Sequence, residues 1–305
     1  MKRSTRLVLI ALAVIAVAAA VVPLVRSREP RTLDDAARAR APGQFVSLTQ
    51  GKTHYQVAGP ADAPVVILVH GFSVPSYVWD PTFEALAAAG FRTVRYDLWG
   101  RGYSDRPHAV YNRELFDTQL GELMDSLHLR TPVDLVGLSM GAAIVASFTA
   151  KHPNSVRKVV LIDPSPEKVD IKALNLPLVG EYLTAALIVP SLPRQSLKNL
   201  HSPADFPDWQ ARFREQMRYK GFRRAILSTA RHFSQEDHLP QYRALAGRKI
   251  LMIWGAADAI TGLSESDQLR QWLEPEFLLV ENAGHVPHYE RPEVVNPALI
   301  DFLKR

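Results

Sequence analysis

The pattern in this 305-residue chain best suited to chemistry is Gly137-Leu138-Ser139-Met140-Gly141, a serine set between glycines. A serine hydroxyl is a poor nucleophile at neutral pH. It attacks only when an adjacent base takes its proton, and that base is oriented in turn by an acid. Glycines on either side let a strand and a helix pack closely around a strained turn, which pushes the hydroxyl outward. The pattern alone is weak, since roughly 0.1 chance copies are expected at about 7% each of Gly and Ser. Its context is stronger: a buried-looking apolar run, 133–136, leads into it and a helix-prone run, 142–151, leaves it.

Partners for such a hydroxyl stand downstream. Asp258 follows the apolar run 250–254, and His285 closes Asn282-Ala283-Gly284-His285. Each has a rival. Asp258 could equally cap a following helix. Asp163, after the apolar run 159–162, is a competing acid, and His288 is a competing base. Ser139 could also be a small turn residue in a chain without activity. His128, His152, His201, His232 and His238 lack the spacing of a metal site, and no metal or cofactor is called for.

The elements that must position these residues alternate from residue 44 onward. Runs 45–49 and 54–57 read as a short antiparallel pair. Run 65–69 is uniformly apolar, as in a strand buried on both faces. Further strands are expected at 92–96, 133–136, 159–162, 250–254 and 277–280, with helices at 79–89, 113–127, 263–273 and 294–303. That alternation predicts an α/β fold, a mostly parallel sheet with helices on both faces. In such a sheet Ser139, Asp258 and His285 all fall at the carboxyl ends of strands, where sites form. The alternation breaks over 166–239, which reads as a helical cap inserted into a core of 44–165 and 240–305.

Residues 1–6 are basic, and Leu7 opens an uncharged run, 7–25, that would span ~28 Å as a helix. It is expected to be a transmembrane anchor or, given the Ala-x-Ala sites near Ala18, a cleaved signal. Basic residues on both sides leave orientation open, although the large domain is placed on the extracytoplasmic side. Residues 26–43, with Pro30, Pro42, Gly43 and many charges, read as a linker. The net charge of +5 and pI near 9.4 do not point to nucleic acid, because no zinc-finger spacing or aromatic-basic stripe accompanies them. With no cysteine, disulfides, thiolate metal sites and cysteine nucleophiles are excluded. Oligomeric state is not legible.

Five features in order give a resemblance. They are His70-Gly71-Phe72, the stretch Tyr96-Asp97-Leu98-Trp99-Gly100-Arg101-Gly102-Tyr103-Ser104, the serine turn, Trp254-Gly255-Ala256-Ala257-Asp258, and Gly284-His285. Over about 44–303 the chain resembles the α/β-hydrolase superfamily, most closely its lipase and esterase branches such as monoacylglycerol-lipase-like enzymes. The resemblance implies Ser139 as nucleophile, His285 as general base and acid, and Asp258 as orienting carboxylate. It implies an oxyanion hole from the backbone N–H groups of Phe72 and Met140. His70 would be structural, and Asp97, Arg101, Tyr103 and Ser104 would fix a loop.

The expected activity is hydrolysis of carboxylic esters, including lipid acyl esters such as monoacylglycerol, through an acyl-enzyme. The same triad could instead cleave an amide, lactone or carbon–carbon bond, or serve a cofactor-free haloperoxidase. Dehalogenase and epoxide-hydrolase chemistry is disfavoured, since those relatives carry aspartate where Ser139 stands. A retired scaffold acting as a membrane-tethered binding protein is the alternative from another class. The apolar half of the cap, from Leu174 to Val189, suits either packing or an acyl pocket. The basic run 209–231 suits a solvated face or anionic headgroups.

Overall fold

The computed structural model describes residues 29–305 together with Ile10, Val21, Val22 and Val25. Apart from those four positions, the expected anchor or signal, 7–25, lies outside the described residues, as does the basic segment 1–6. Among the described residues no helix is long and apolar enough to cross a membrane.

Eight strands form one sheet in the order β1-β2-β4-β3-β5-β6-β7-β8. They are β1 Gln44–Leu48, β2 Gly51–Ala58, β3 Val65–Val69, β4 Arg92–Tyr96, β5 Val133–Leu138, β6 Val156–Ile162, β7 Ile250–Gly255 and β8 Glu276–Val280. β2 pairs antiparallel with both β1 and β4, and the remaining pairs are parallel. β3 shows why its sequence does not alternate. Val65, Ile67 and Val69 enter the core on one face, while Val66 and Leu68 enter the core on the other. Burying each such side chain contributes about 1.5–3 kcal/mol.

Helices Arg113–Ser126 and Met140–Lys151 cover the first face with Phe116, Leu120, Leu123 and Ile144. Helices Asp80–Ala88 and Pro292–Lys304 cover the second with Phe83, Leu86, Leu299 and Leu303. The Asn112 side chain starts Arg113–Ser126 by accepting the Leu115 N–H at 3.0 Å, which satisfies one of the donors a helix start leaves open.

Between β6 and β7 the described chain has no strand. It forms helices Val179–Leu183, Val189–Gln195, Trp209–Met217, Phe222–His232 and Leu239–Arg243. This insertion is welded to the core: Trp209, Phe213, Phe222 and Ile226 are almost fully buried in the second cluster.

The segment read as a linker is docked instead. The Glu29 carboxylate accepts the N–H groups of Gly221 at 2.8 Å and Arg223 at 2.6 Å. The Arg31 N–H donates to the Arg218 carbonyl, and the Lys220 N–H donates to the Arg31 carbonyl, both at 2.9 Å. Asp34 caps a short helix, Asp35–Arg38, and Arg38 pairs with Asp105. The charges that suggested solvation find counter-charges and backbone groups on the cap and on the loop after β4.

Candidate active site

β5 runs directly into Ser139, whose backbone sits at φ 54° and ψ −120°. A side-chain-bearing residue there stores strain of order 1–3 kcal/mol, tolerated only where the surroundings fix it. The surroundings do. A Cβ on Gly137 would lie 2.6 Å from Ala142 Cα, and one on Gly141 would lie 2.2 Å from the Val69 carbonyl oxygen. Only glycine lets strand and helix approach this closely. The Ser139 N–H is tied to the Ile162 carbonyl at 2.9 Å, and the residue borders a cavity of about 490 Å³.

His285 stands after β8 and borders the same cavity. Its Nδ1 lies 2.7 Å from Asp258 Oδ2. Asp258 Oδ1 accepts the N–H groups of Ile260 and Thr261 at 2.7 and 3.1 Å, and Oδ2 accepts the Thr261 hydroxyl at 2.6 Å. The carboxylate thus braces its own turn and holds the imidazole at once, so both readings of Asp258 apply. Burial alone would raise its pKa. The hydrogen bond and charge of His285, with Thr261 and Ile260, outweigh burial and hold it below the ordinary carboxylate value. An ionised Asp258 favours the proton on Nδ1 and leaves Nε2 to face the cavity chemistry. Ser139 Oγ makes no hydrogen bond among the described residues. Catalytic contacts of this kind often close only when substrate is bound.

Phe72 and Met140 also border the cavity. Met140 opens helix Met140–Lys151, so its N–H lies at the positive end of the helix. The Phe72 loop is pinned from behind. His70 Nε2 accepts the Leu98 N–H at 2.9 Å, and its Nδ1 pairs with the Gly71 carbonyl at 2.8 Å. Burial pushes His70 down to about 4, so it remains a neutral structural brace. Arg101 Nε donates to the Phe72 carbonyl at 2.8 Å. Gln216 Nε2, from the cap, donates to the Ser73 carbonyl at 2.7 Å, while its Oε1 accepts the Gly102 N–H at 3.0 Å. Sequence reasoning missed Gln216, because one amide in a polar helical run carries no pattern. The loop-fixing set is visible too. Asp97 accepts from Ser76 N–H at 2.9 Å and Tyr103 N–H at 2.8 Å, and Ser104 Oγ donates to the Asp97 carbonyl.

Neither rival borders the cavity. His288 is fully buried against Trp79, ring centroids 4.2 Å apart, and burial pushes it down to about 3. Asp163 is fully buried beneath the site, its Oδ1 accepting the Gly255 N–H at 2.9 Å. Burial and the charge of Asp258 push its carboxyl well up, which favours its neutral form. One atom each of Asp163, Asp258 and His285 lie within 4.8 Å of one another, a spacing a cation could use. The 2.7 Å contact between His285 and Asp258 is instead a hydrogen bond, and a protonated Asp163 is a poor ligand.

A strained serine turn and a histidine–carboxylate pair at the carboxyl ends of a mostly parallel sheet define a hydrolase class. Residues 64–292 match the family model described as alpha/beta hydrolase fold, and the chain belongs to that superfamily of hydrolases. Among curated proteins it is 28% identical to the carboxylesterase YbfK of Bacillus subtilis (strain 168), over 85% of this chain and 86% of that protein. Its fold matches the enol-lactonase from Burkholderia xenovorans LB400 with a TM-score of 0.73 at 22% identity, covering 86% of this chain and all of the other. It also matches the 2-hydroxy-6-oxo-6-phenylhexa-2,4-dienoate hydrolase from Rhodococcus with a TM-score of 0.71 at 21% identity, covering 86% and 99%.

Proposed function

We propose that the protein is a serine hydrolase of uncharged carboxylic esters, acting through an acyl-enzyme. One observation carries this reading: Ser139, held in its strained turn, shares a cavity with a His285 oriented by Asp258. His285 Nε2 takes the Ser139 proton as Oγ attacks the acyl carbon. The Phe72 and Met140 N–H groups stabilise the oxyanion, and each such donor contributes ~3 kcal/mol in the transition state. The imidazolium then protonates the leaving alcohol. Water, activated by the same imidazole, releases the acid and restores Ser139.

The cavity lining favours an ester over a dienoate. Among the described residues no lysine or arginine borders it, and its ionisable members are Glu167, His238 and His285. A substrate carboxylate would meet no counter-ion and would face Glu167. Its walls are otherwise rich in aliphatic and aromatic groups, including Val169, Ile171, Ile188, Leu192 and Phe233, which suits an acyl chain such as that of a monoacylglycerol. Residues 7–25 are proposed to hold the chain at a membrane, with the large domain on the extracytoplasmic side. A panel of p-nitrophenyl esters tests the chemistry. Neutral acyl esters of medium length should be turned over with kcat/KM at least tenfold above an ester carrying a terminal carboxylate, and no dienoate should be cleaved. Preferred turnover of the anionic ester or of the dienoate rejects the reading.

A further inference from the structure

The exposed face of the cap is unusually apolar for a surface bordering a cavity mouth. Leu178 is 82% exposed, Leu176 54% and Leu187 53%, with Val179 and Tyr182 beside them. Val169, Ile171 and Ile188 of the same stretch border the cavity that holds Ser139. A patch of this kind, continuous with a binding site, marks an interaction surface. Beside it runs a groove of about 550 Å³ between helices Val179–Leu183 and Phe222–His232, whose walls include Tyr182, Ala185, Leu227, Arg224 and Arg231. Arg218 and Lys220 bond the Arg31 backbone just before the amino end of helix Phe222–His232, and Arg214, Arg218 and Lys220 are exposed.

The amino-terminal segment docks at the amino end of helix Phe222–His232, whereas the apolar stretch packs at its carboxyl end through Arg231. Glu29 receives the Gly221 and Arg223 N–H groups, and Arg31 pairs with Tyr219 in a parallel bridge. The uncharged run ends at Val25. From Val25 to Glu29 the chain reaches at most ~14 Å. A bilayer holding residues 7–25 must therefore lie within about that distance of the amino end of helix Phe222–His232.

We propose that the cap face carrying Leu176, Leu178 and Tyr182, with the basic rim at Arg214, Arg218 and Lys220, docks on a bilayer containing anionic phospholipid. The apolar residues enter the acyl boundary, the basic residues meet the headgroups, and the mouth of the Ser139 cavity opens toward lipid. An uncharged lipid ester would then pass into the cavity without crossing water. The proposal rests on the membrane part of the proposed function and not on the chemistry of Ser139.

The test exploits the absence of cysteine. Single cysteines are placed in the full-length protein at Leu178→Cys, Lys220→Cys and Lys249→Cys, and each is labelled with an environment-sensitive fluorophore. Lys249 is exposed and precedes β7, at the edge of the sheet opposite the carboxyl ends. The proteins are reconstituted with vesicles containing anionic phospholipid and headgroup-level nitroxide quenchers. The labels at 178 and 220 should be quenched at least threefold more than the label at 249. Equal quenching at all three sites overturns the proposal, as does full-length protein that fails to associate with the vesicles. Turnover of a water-soluble ester by each labelled protein is read alongside. It should be unchanged, so a failure of docking is separable from a failure of the esterase reading.

Discussion

Asp163 and Asp258 show how one residue type takes two states within a single site. Asp258 is held toward its ionised form by His285, whereas burial and the neighbouring Asp258 push Asp163 toward its protonated form. The folded-state pKa of Asp163 lies above the unfolded value of about 3.9, so the folded chain keeps a proton that the unfolded chain releases. Its contribution to stability is therefore largest at acid pH and falls as pH rises toward its folded-state pKa. Asp163→Asn removes that dependence. As pH rises from the unfolded value toward the folded-state pKa, the thermal midpoint of the variant should gain on the wild type, and a constant difference contradicts the assignment. Asp258→Asn should lower kcat by about 10⁴-fold with little change in KM, because the wrong imidazole tautomer then faces Ser139. The three candidate residues, Ser139, Asp258 and His285, could be read from their order and flanking motifs, and the structure brings His285 within 2.7 Å of Asp258. The proton on Asp163 was not, because it depends on burial and on a neighbour 95 residues away.

At the scale of elements, the serine turn is specified by contacts that a strand–glycine–helix pattern already implies. Gly141→Ala would push a methyl to 2.2 Å from the Val69 carbonyl oxygen, costing about 1–3 kcal/mol or more by overpacking. Urea unfolding should show a lowered midpoint with an unchanged slope. The Phe72 loop is a different matter, since part of its bracing comes from Gln216 in the cap, through the Ser73 carbonyl. Gln216→Leu should lower kcat about tenfold while KM moves less than twofold, because the proposed oxyanion donor would matter chiefly in the transition state. A raised KM at constant kcat would show that the bridge serves substrate binding instead. The strands were legible because burial on both faces writes itself as apolar runs: β3 and β4 match their expected limits residue for residue. The cap was legible only as a break in alternation. Its short helices are joined by a π-helical turn, Thr184–Ile188, and by 3₁₀ turns, and no single period describes them.

Across the whole molecule, the amino-terminal segment is a strap joining cap to core. Its charges predicted a solvated linker, since sequence cannot show that Glu29 would find two open helix-start donors almost two hundred residues away. Glu29→Ala should cost about 1 kcal/mol, the usual worth of a helix cap, read as a lower thermal midpoint. The sheet, the serine turn and the His285–Asp258 pair support one proposal, that Ser139 is the nucleophile. Intact-mass analysis after exposure to a fluorophosphonate tests it most directly. The wild type should gain a single adduct that peptide mapping places on Ser139, and Ser139→Ala should gain none while keeping its fold. Equal labelling of Ser139→Ala would contradict the account.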